Sequence, residues 1–366
     1  MKHILLLALT ILPWLCPAQL RDKPQTAPND TLTLFFIGDI MQHEPQIRGA
    51  WDNARSTYDY MPCFRHIAPY WAQADLVIGY LETTLSHTGF SGYPQFCAPW
   101  QLARDIRRAG VDILTTNNNH SCDKHAAGIR RTIHYLDSLG IPHTGTFTDT
   151  ASWIRETPLY LRHGSFKIAL LSYTYGTNGV PPGKGQVVSM IDTFHIARHI
   201  AKARLDTATN IIVCMHWGIE YDTRQNAEQK RLAAFLHRQG ADIVIGSHPH
   251  VVQPLEYHLE KGDTTGITVY SLGNFVSNQS KRHTNGGIAL HLTLTRTPHR
   301  TRYRMRYLSN YVHRPVEPDG IRRYYVIPEP DAPRLLGSQD SLLYRQFFED
   351  TDHIIGGAAE KYPPID

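Results

Sequence analysis

Five short apolar runs in this 366-residue chain each end in a side chain able to hold a metal ion. Leu32–Ile37 leads into Gly38-Asp39, Asp75–Ile78 into Glu82, and Asp112–Leu114 into Asn119-His120. Ile211–Met215 leads into His216, and Ala241–Gly246 into His248-Pro249-His250. One such tip means little. Five suggest a common site, because ligands of α/β sheets collect at strand ends, where rigid backbone faces a crevice. Two divalent ions a few Å apart need a bridging carboxylate with imidazole and oxygen donors around it. Asp39 and Glu82 offer carboxylates, His216, His248 and His250 imidazoles, and Asn119 an amide oxygen. His120 follows Asn119 directly and therefore points elsewhere, toward substrate, where a proton donor to a leaving oxygen belongs. Asp123 is spaced to orient it through the other ring nitrogen. His43, Glu220, Tyr221 and Asn274 are candidates for substrate or supporting contacts. Plainer readings stand beside these: Glu82 as a strand-end surface acid, Asn119 as a helix cap, Tyr221 as packing. Of the 21 histidines, His195, His199, His237, His258 and His291 lack such context and read as surface or structural.

The elements that must position these tips follow from periodicity. Leu102, Ile106 and Ala109 mark a helix stopping at Gly110, and Ile129, Ile133, Leu136 and Leu139 one closing at Gly140. Cys63–Trp71 is helix-compatible. Leu159–Arg162 and Lys167–Tyr173 flank His163-Gly164-Ser165 as a hairpin. Ile191–Leu205 and Ala227–Gln239 read as helices, and Val251–His258, Gly266–Ser271 and Gly287–Thr295 as strands. Alternating β and α elements mixed with hairpins predict a layered α/β fold with mixed sheets. Arg300, Arg302, Arg304 and Arg306 alternate with Thr301, Tyr303, Met305 and Tyr307, a strand with an arginine face. That face is either a polyanion-binding strip or an edge kept soluble by charge.

Hydrophobic content of 42% and charged content of 19% describe a globular chain, and a net charge of +4 is too mild to argue for nucleic acid as a partner. Lys2 and His3 precede the apolar run Ile4–Leu15, and Cys16-Pro17-Ala18 precedes Gln19. This pattern predicts a signal peptide over residues 1–18 and an exported protein, periplasmic or at the cell surface, with tethering to the membrane as a further option. Residues 19–30 read as a flexible leader, 31–295 as the main domain, and 296–366 as a strand-rich extension packed on it. In an oxidising compartment Cys63–Cys97 is the disulfide to expect.

Gly38-Asp39, Asn119-His120, His216 and His248-Pro-His250 resemble, in order, the motifs of the calcineurin-like metallophosphoesterases. More narrowly, the chain resembles the CapA family of poly-γ-glutamate capsule synthesis. The motifs that carry this are Ala74-Asp-Leu-Val-Ile-Gly79 with Leu81-Glu82, Asn118-Asn119-His120 with Asp123, and His216-Trp-Gly-Ile-Glu-Tyr221 with Gln229. Gly246-Ser-His-Pro-His-Val-Val-Gln-Pro254, Ser271-Leu-Gly-Asn-Phe275 and Tyr173-Thr-Tyr-Gly-Thr-Asn178 complete the set. The resemblance implies a four-layer αββα sandwich holding two divalent ions, Mn, Fe or Zn. His248 would share one ion with Asn119 and His216, and His250 the other with Asp39, with Glu82 between them. It implies hydrolysis of a phosphoester or anionic polymer by a metal-activated hydroxide, His120 being the proton donor, alongside membrane-bound capsule machinery. The alternative is a non-catalytic, metal-stabilised accessory that binds the polymer. Met41 stands where the wider superfamily has a histidine, which weakens the position of Asp39 and His250. Tyr80 and Lys124-His125 also depart from the family pattern.

Overall fold

The computed structural model describes residues 30–260, 262–297, 300–337 and 341–365. The expected signal peptide and all of the leader except Asp30 lie outside them. The strands that matter for the site are β1 (Thr31–Ile40), β2 (Leu76–Leu81), β3 (Ile113–Thr115), β4 (His143–Thr144), β5 (Leu159–His163), β6 (Phe166–Thr174), β7 (Asn210–His216) and β8 (Ile243–Ser247). They are followed by β9 (Leu255–Glu260), β10 (Asp263–Val269), β11 (Asn274–Val276), β12 (Gly286–Arg296), β13 (Thr301–His313), β14 (Tyr325–Pro328) and β15 (Glu360–Lys361). The helices that cover them are α1 (Gln101–Ala109), α2 (His125–Ser138), α3 (Thr193–Leu205), α4 (Ala227–Gln239) and α5 (Ser341–Ile355).

Two mixed sheets result. The first runs β14-β13-β12-β1-β2-β3-β4, with β11 against β1 and β15 against β13. The second runs β5-β6-β7-β8-β10-β9. Strand alternation decides what each face covers. Leu32, Leu34 and Phe36 of β1 point inward with Leu76 and Ile78, and meet Leu170, Ile212, Ile243 and Ile245 of the second sheet. Phe35 and Ile37 point the other way, onto Trp71, Leu102, Ile106 and Leu136. On the far side, Leu171, Val213 and Val244 pack against Ile196 and Ile200 of α3 and Leu232 and Leu236 of α4. Helix, sheet, sheet, helix is the four-layer order expected.

Local signals set the element ends. Asn226 caps α4 reciprocally with Gln229, and Gly240 at φ +106° ends it. Two expectations need correction, the start of one strand and the disulfide, and a third is filled in. The strand expected from Val251 begins only at Leu255, because Pro254 has no N–H to donate to a ladder and His250 leaves the turn at φ +60°. The C-terminal extension is not only strands: Tyr344, Phe347, Phe348, Thr351 and Ile355 form the buried stripe of the fifteen-residue α5. Cys63 and Cys97 are both free and buried. Cys63 sits in a short helix, hydrogen-bonded to the Val326 backbone, while Cys97 is held in a two-stranded ribbon opposite Thr84.

The arginine face does exist on β13, with Tyr303, Met305 and Tyr307 turned toward the layer between the sheets. β13 is not a bare edge, since β12 pairs along most of it and β14 and β15 pair parts of its other side. Arg300 pairs with Asp263, and Arg304 and Arg306 both reach Glu360.

Candidate metal centre

The tips of β1, β2 and β3 in one sheet and of β7 and β8 in the other converge at the same end of the sandwich. β1 is brought there by a close approach. A Cβ on Gly38 would lie 1.9 Å from the Gly273 carbonyl, whose oxygen accepts the Asp39 N–H at 3.1 Å. Gly246 plays the same part on β8, where a Cβ would fall 1.9 Å from the Tyr270 carbonyl oxygen. Beyond it the backbone turns through φ +97° at His248 and +60° at His250. Positive φ is costly for side chains like these, and such strain persists where surrounding structure imposes it. Here the His248 N–H donates to Asp39 Oδ2 at 3.3 Å, and the Pro249 carbonyl accepts the Tyr221 N–H at 2.8 Å.

Two sets of donors form around Glu82. Ligand atoms of Glu82, His216 and His248 lie within 4.8 Å of one another, and so do those of Asp39, Glu82 and His250. Glu82 is common to both, with Oε1 3.8 Å from His216 Nε2 and Oε2 4.0 Å from His250 Nδ1. Asn119 Oδ1 lies 2.8 Å from His216 Nε2, whose other ring nitrogen is 3.0 Å from Ser247 Oγ. Asn118 ties this turn to the tip of β2, its Nδ2 donating to the Leu81 carbonyl at 2.8 Å. His250 Nδ1 is 3.3 Å from Asp39 Oδ2.

The residues fit divalent ions. Asp39 Oδ1, both oxygens of Glu82, and Nδ1 of His248 and of His250 are buried with no hydrogen-bond partner among the described residues. Buried polar atoms rarely stay unpaired, and carboxylates least of all. Burial together with the nearby Asp39 carboxylate pushes the Glu82 carboxyl well above its usual range. Burial and the other site histidines hold His216 well below the normal imidazole range and His248 down to about 3. Both imidazoles are therefore neutral at pH 7, the form that ligates a metal.

His120 Nδ1 lies 2.7 Å from Asp123 Oδ2, which also accepts the Phe96 N–H at 2.6 Å. The ring of Phe96 meets His120 edge-on at 4.6 Å and His43 at 5.0 Å. His43 is outside both ligand sets. Its Nδ1 accepts the Asn278 N–H at 3.3 Å, and burial holds its ring down to about 4. Asn274 pairs with Asp39 in the backbone register and gives its amide N–H groups to Gln279 and the Thr284 carbonyl. Glu220 and Tyr221 stand on the exposed rim, with the Tyr221 ring 6.1 Å from His250 and Lys281 Nζ 4.6 Å from the Tyr221 ring centre. Trp217 packs below, its indole N–H donating to the Tyr270 carbonyl at 2.9 Å. Tyr80, a departure from the family pattern, donates its hydroxyl to the Ile245 carbonyl at 2.7 Å.

Sequence reasoning assigned no role to Ser247, Asn118 or Tyr175. Tyr175 is half exposed and lies 4.6 Å from the His248 ring and 6.2 Å, nearly parallel, from the His216 ring. All three sit inside quoted motifs, so their positions were visible though their contacts were not.

Residues 33–279, more than half of the chain, match the family model described as bacterial capsule synthesis protein PGA_cap. The chain belongs to this family. Capsule biosynthesis protein CapA of Bacillus anthracis is 29% identical over 267 residues, covering 69% of this chain and 61% of its own length. The PGA_cap chain thus spans about three-fifths of that relative. PGA biosynthesis protein CapA of Bacillus subtilis (strain 168) is 25% identical over 326 residues, covering 84% of this chain and 80% of its own. Among solved structures, Haemophilus influenzae NAD nucleotidase NadN aligns over 88% of this chain and 68% of its own, with TM-score 0.49 and 12% identity. Bacillus subtilis YfkN, a calcineurin-like phosphoesterase, aligns over 88% of this chain and 98% of its own, with TM-score 0.45 and 13% identity. The motifs of this PGA_cap member from Asp39 to Asn274 all fall within the matched region.

Proposed function

We propose that this chain is an exported, metal-dependent hydrolase of capsule assembly, acting on an anionic surface polymer of the poly-γ-glutamate type or on a phosphoester. The observation that carries it is Glu82, fully buried, with two unpartnered carboxylate oxygens between His216 and His250. Asn119, Glu82, His216 and His248 would hold one divalent ion, and Asp39, Glu82 and His250 a second. Mixed nitrogen and oxygen donors suit Mn, Fe or Zn. When bound, such ions polarise the scissile bond and activate water. The chain's own part is then proton delivery: Asp123 holds Nδ1 of His120, which leaves Nε2 as the nitrogen available to a leaving group. Export to the periplasm or cell surface and work beside membrane-bound capsule machinery are supported by the basic, then apolar, N-terminus and by the family. The accessory, polymer-binding alternative is narrowed in that Arg300 pairs with Asp263 and Arg304 and Arg306 share Glu360, so part of that face's charge is already met by carboxylates.

The test is elemental analysis of the purified chain, with phosphoesters and poly-γ-glutamate assayed on the same sample before and after chelation. Turnover that follows metal content is expected. Activity persisting in a metal-free variant carrying His216→Ala and His248→Ala would end the reading.

A further inference from the structure

Lys281 is a charged group on the rim of the centre that the proposed chemistry leaves unused. It is exposed, and its Nζ sits 4.6 Å from the centre of the Tyr221 ring, which itself lies 6.1 Å from the His250 ring. Neighbouring cations are engaged: Arg282 pairs with Asp350, and Arg314 donates to the Gln279 carbonyl and to Asn285. Lys281 has no carboxylate partner among the described residues. Glu220, beside Tyr221, brings its carboxylate within 4.8 Å of ligand atoms of His248 and His250 and forms no ion pair with Lys281.

We infer that Lys281, seated on Tyr221, binds an anionic group of the substrate next to the one that reacts, so that the centre favours a polyanionic chain over a phosphate monoester. The inference rests on the metal-dependent hydrolase reading above and narrows its substrate. An ammonium is a compact charge with three N–H donors on a flexible stem. The ring face steadies it by cation–π attraction, and the donors turned away from the ring stay open to an anion.

Both residues are anchored to the site. The Lys281 carbonyl accepts the Thr284 N–H at 3.0 Å and the Thr284 hydroxyl at 2.8 Å. The Thr284 carbonyl accepts Asn274 Nδ2 at 3.0 Å, and Asn274 stands opposite Asp39 in the register of β1 and β11. Earlier in the same loop, the Asn278 N–H donates to His43 Nδ1 at 3.3 Å. Tyr221, at φ +69°, donates its N–H to the Pro249 carbonyl at 2.8 Å, between His248 and His250. Lysine and tyrosine therefore come from two loops, one tied to the strand of Asp39 and one to the histidine turn, and meet beside the centre.

Depth then decides the substrate. Asp39, Glu82 and His250 are buried, whereas Tyr221 and Lys281 are exposed. An anion on Lys281 is held at the surface and not among the buried ligands, so it is a second anionic group of the same molecule. A monoester has no such group, and every repeat of a polyanion supplies one.

The test is calorimetric binding of three probes to the full, metal-loaded chain: orthophosphate, a γ-linked glutamate oligomer and a short polyphosphate. Metal content is measured on each sample. Wild type is expected to bind at least one of the two chains more tightly than orthophosphate. Lys281→Gln should weaken that binding about fivefold, the scale of one exposed ion pair at contact, and the loss should fade as salt rises. Its metal content and its affinity for orthophosphate should not change. Lys281→Arg, which keeps the charge, should retain most of the affinity. Arg238 is exposed in the last turn of α4, which runs from the tip of β7 back to the start of β8 and so ends away from the centre. Arg238→Gln removes the same charge there and should bind as wild type. Chain binding by Lys281→Gln at wild-type strength would overturn the inference, as would an equal loss in Arg238→Gln or an equal loss of orthophosphate. A wild type that holds metal and orthophosphate but neither chain would overturn it and leave the hydrolase reading standing. A wild type that holds no metal would remove that reading, and the inference with it.

Discussion

Nε2 of His216 lies 2.8 Å from Oδ1 of Asn119, 97 residues earlier in the chain and on the other sheet's side of the sandwich. Two donors each about 2.1 Å from one ion and at right angles to it are about 3 Å apart. The spacing is that of a hydrogen bond between the two side chains, and it also suits the proposed role of both as neighbouring ligands of one ion. Ser247, 3.0 Å from the opposite ring nitrogen, then sets which nitrogen carries the proton. Ser247→Ala is expected to weaken metal binding about 10- to 100-fold without removing a ligand, whereas His216→Ala should abolish binding at that position. Metal titration of the three proteins checks this ordering.

Glu82 carries the pH dependence. Burial and the Asp39 carboxylate raise its pKa and so favour the protonated carboxyl without a metal, with which an arriving ion competes. Apparent affinity should rise with pH until the carboxyl ionises unaided. Calorimetry of Mn2+ binding in buffers of different ionisation enthalpy should show proton release. Glu82→Gln should bind weakly and release none. Equal heats in all buffers would contradict the assignment.

His120→Asn should lower turnover about 10²- to 10⁴-fold while leaving metal content unchanged, because its ring lies outside both ligand sets. Loss of metal together with turnover would make His120 a ligand rather than a proton donor. Steady-state rates on a phosphoester, with elemental analysis of the same protein, separate the two.

A different group of histidines predicts acid behaviour. His237 Nδ1 lies 2.9 Å from the Ala241 carbonyl, and Nε2 of both His237 and His258 lies within 3.0 Å of Thr268 Oγ1. With Nδ1–H given to the Ala241 carbonyl, His237 Nε2 can accept the Thr268 hydroxyl only while that ring is neutral, and the same hydroxyl accepts from His258 Nε2. Burial and His258 lower His237 to about 4, and burial above all lowers His199 and His291 to about 4. The unfolded chain takes up these protons near pH 6.5 and the folded chain only near 4. Stability is therefore full above pH 6.5 and falls as pH drops toward 4. Melting temperatures across that window should decline, and His237→Gln should flatten the decline.

Much of the site was legible because each candidate ligand follows an apolar run, and such runs become strands whose tips share an edge. The division of His248 with His216 and Asn119, and of His250 with Asp39, is what the family resemblance implied, and the donor groupings of the fold are compatible with it. Other features depend on contacts the chain makes only when folded. Tyr175 is legible as an aromatic in a loop, but its stacking on His216 requires β6 and β7 to lie parallel and adjacent. Cys63 and Cys97 looked pairable because loop-like composition hides which element holds each one. α5 was legible and was missed: its aromatic residues at spacings of three and four lie in a tail whose first strand dominated the reading.

β12 has a consequence for how much of this chain can stand alone. It hydrogen-bonds β1 from Thr31–Thr295 through Ile37–Ala289, yet it begins beyond residue 279, where the family match stops. Excising the matched region would remove the central neighbour of the strand that carries Asp39 and leave β1 with a bare, apolar border. A border of that kind recruits other chains. The smallest autonomous piece of this protein must therefore run past the family boundary at least through β12. β12, which contributes none of the proposed ligands, covers the border of the strand that carries Asp39.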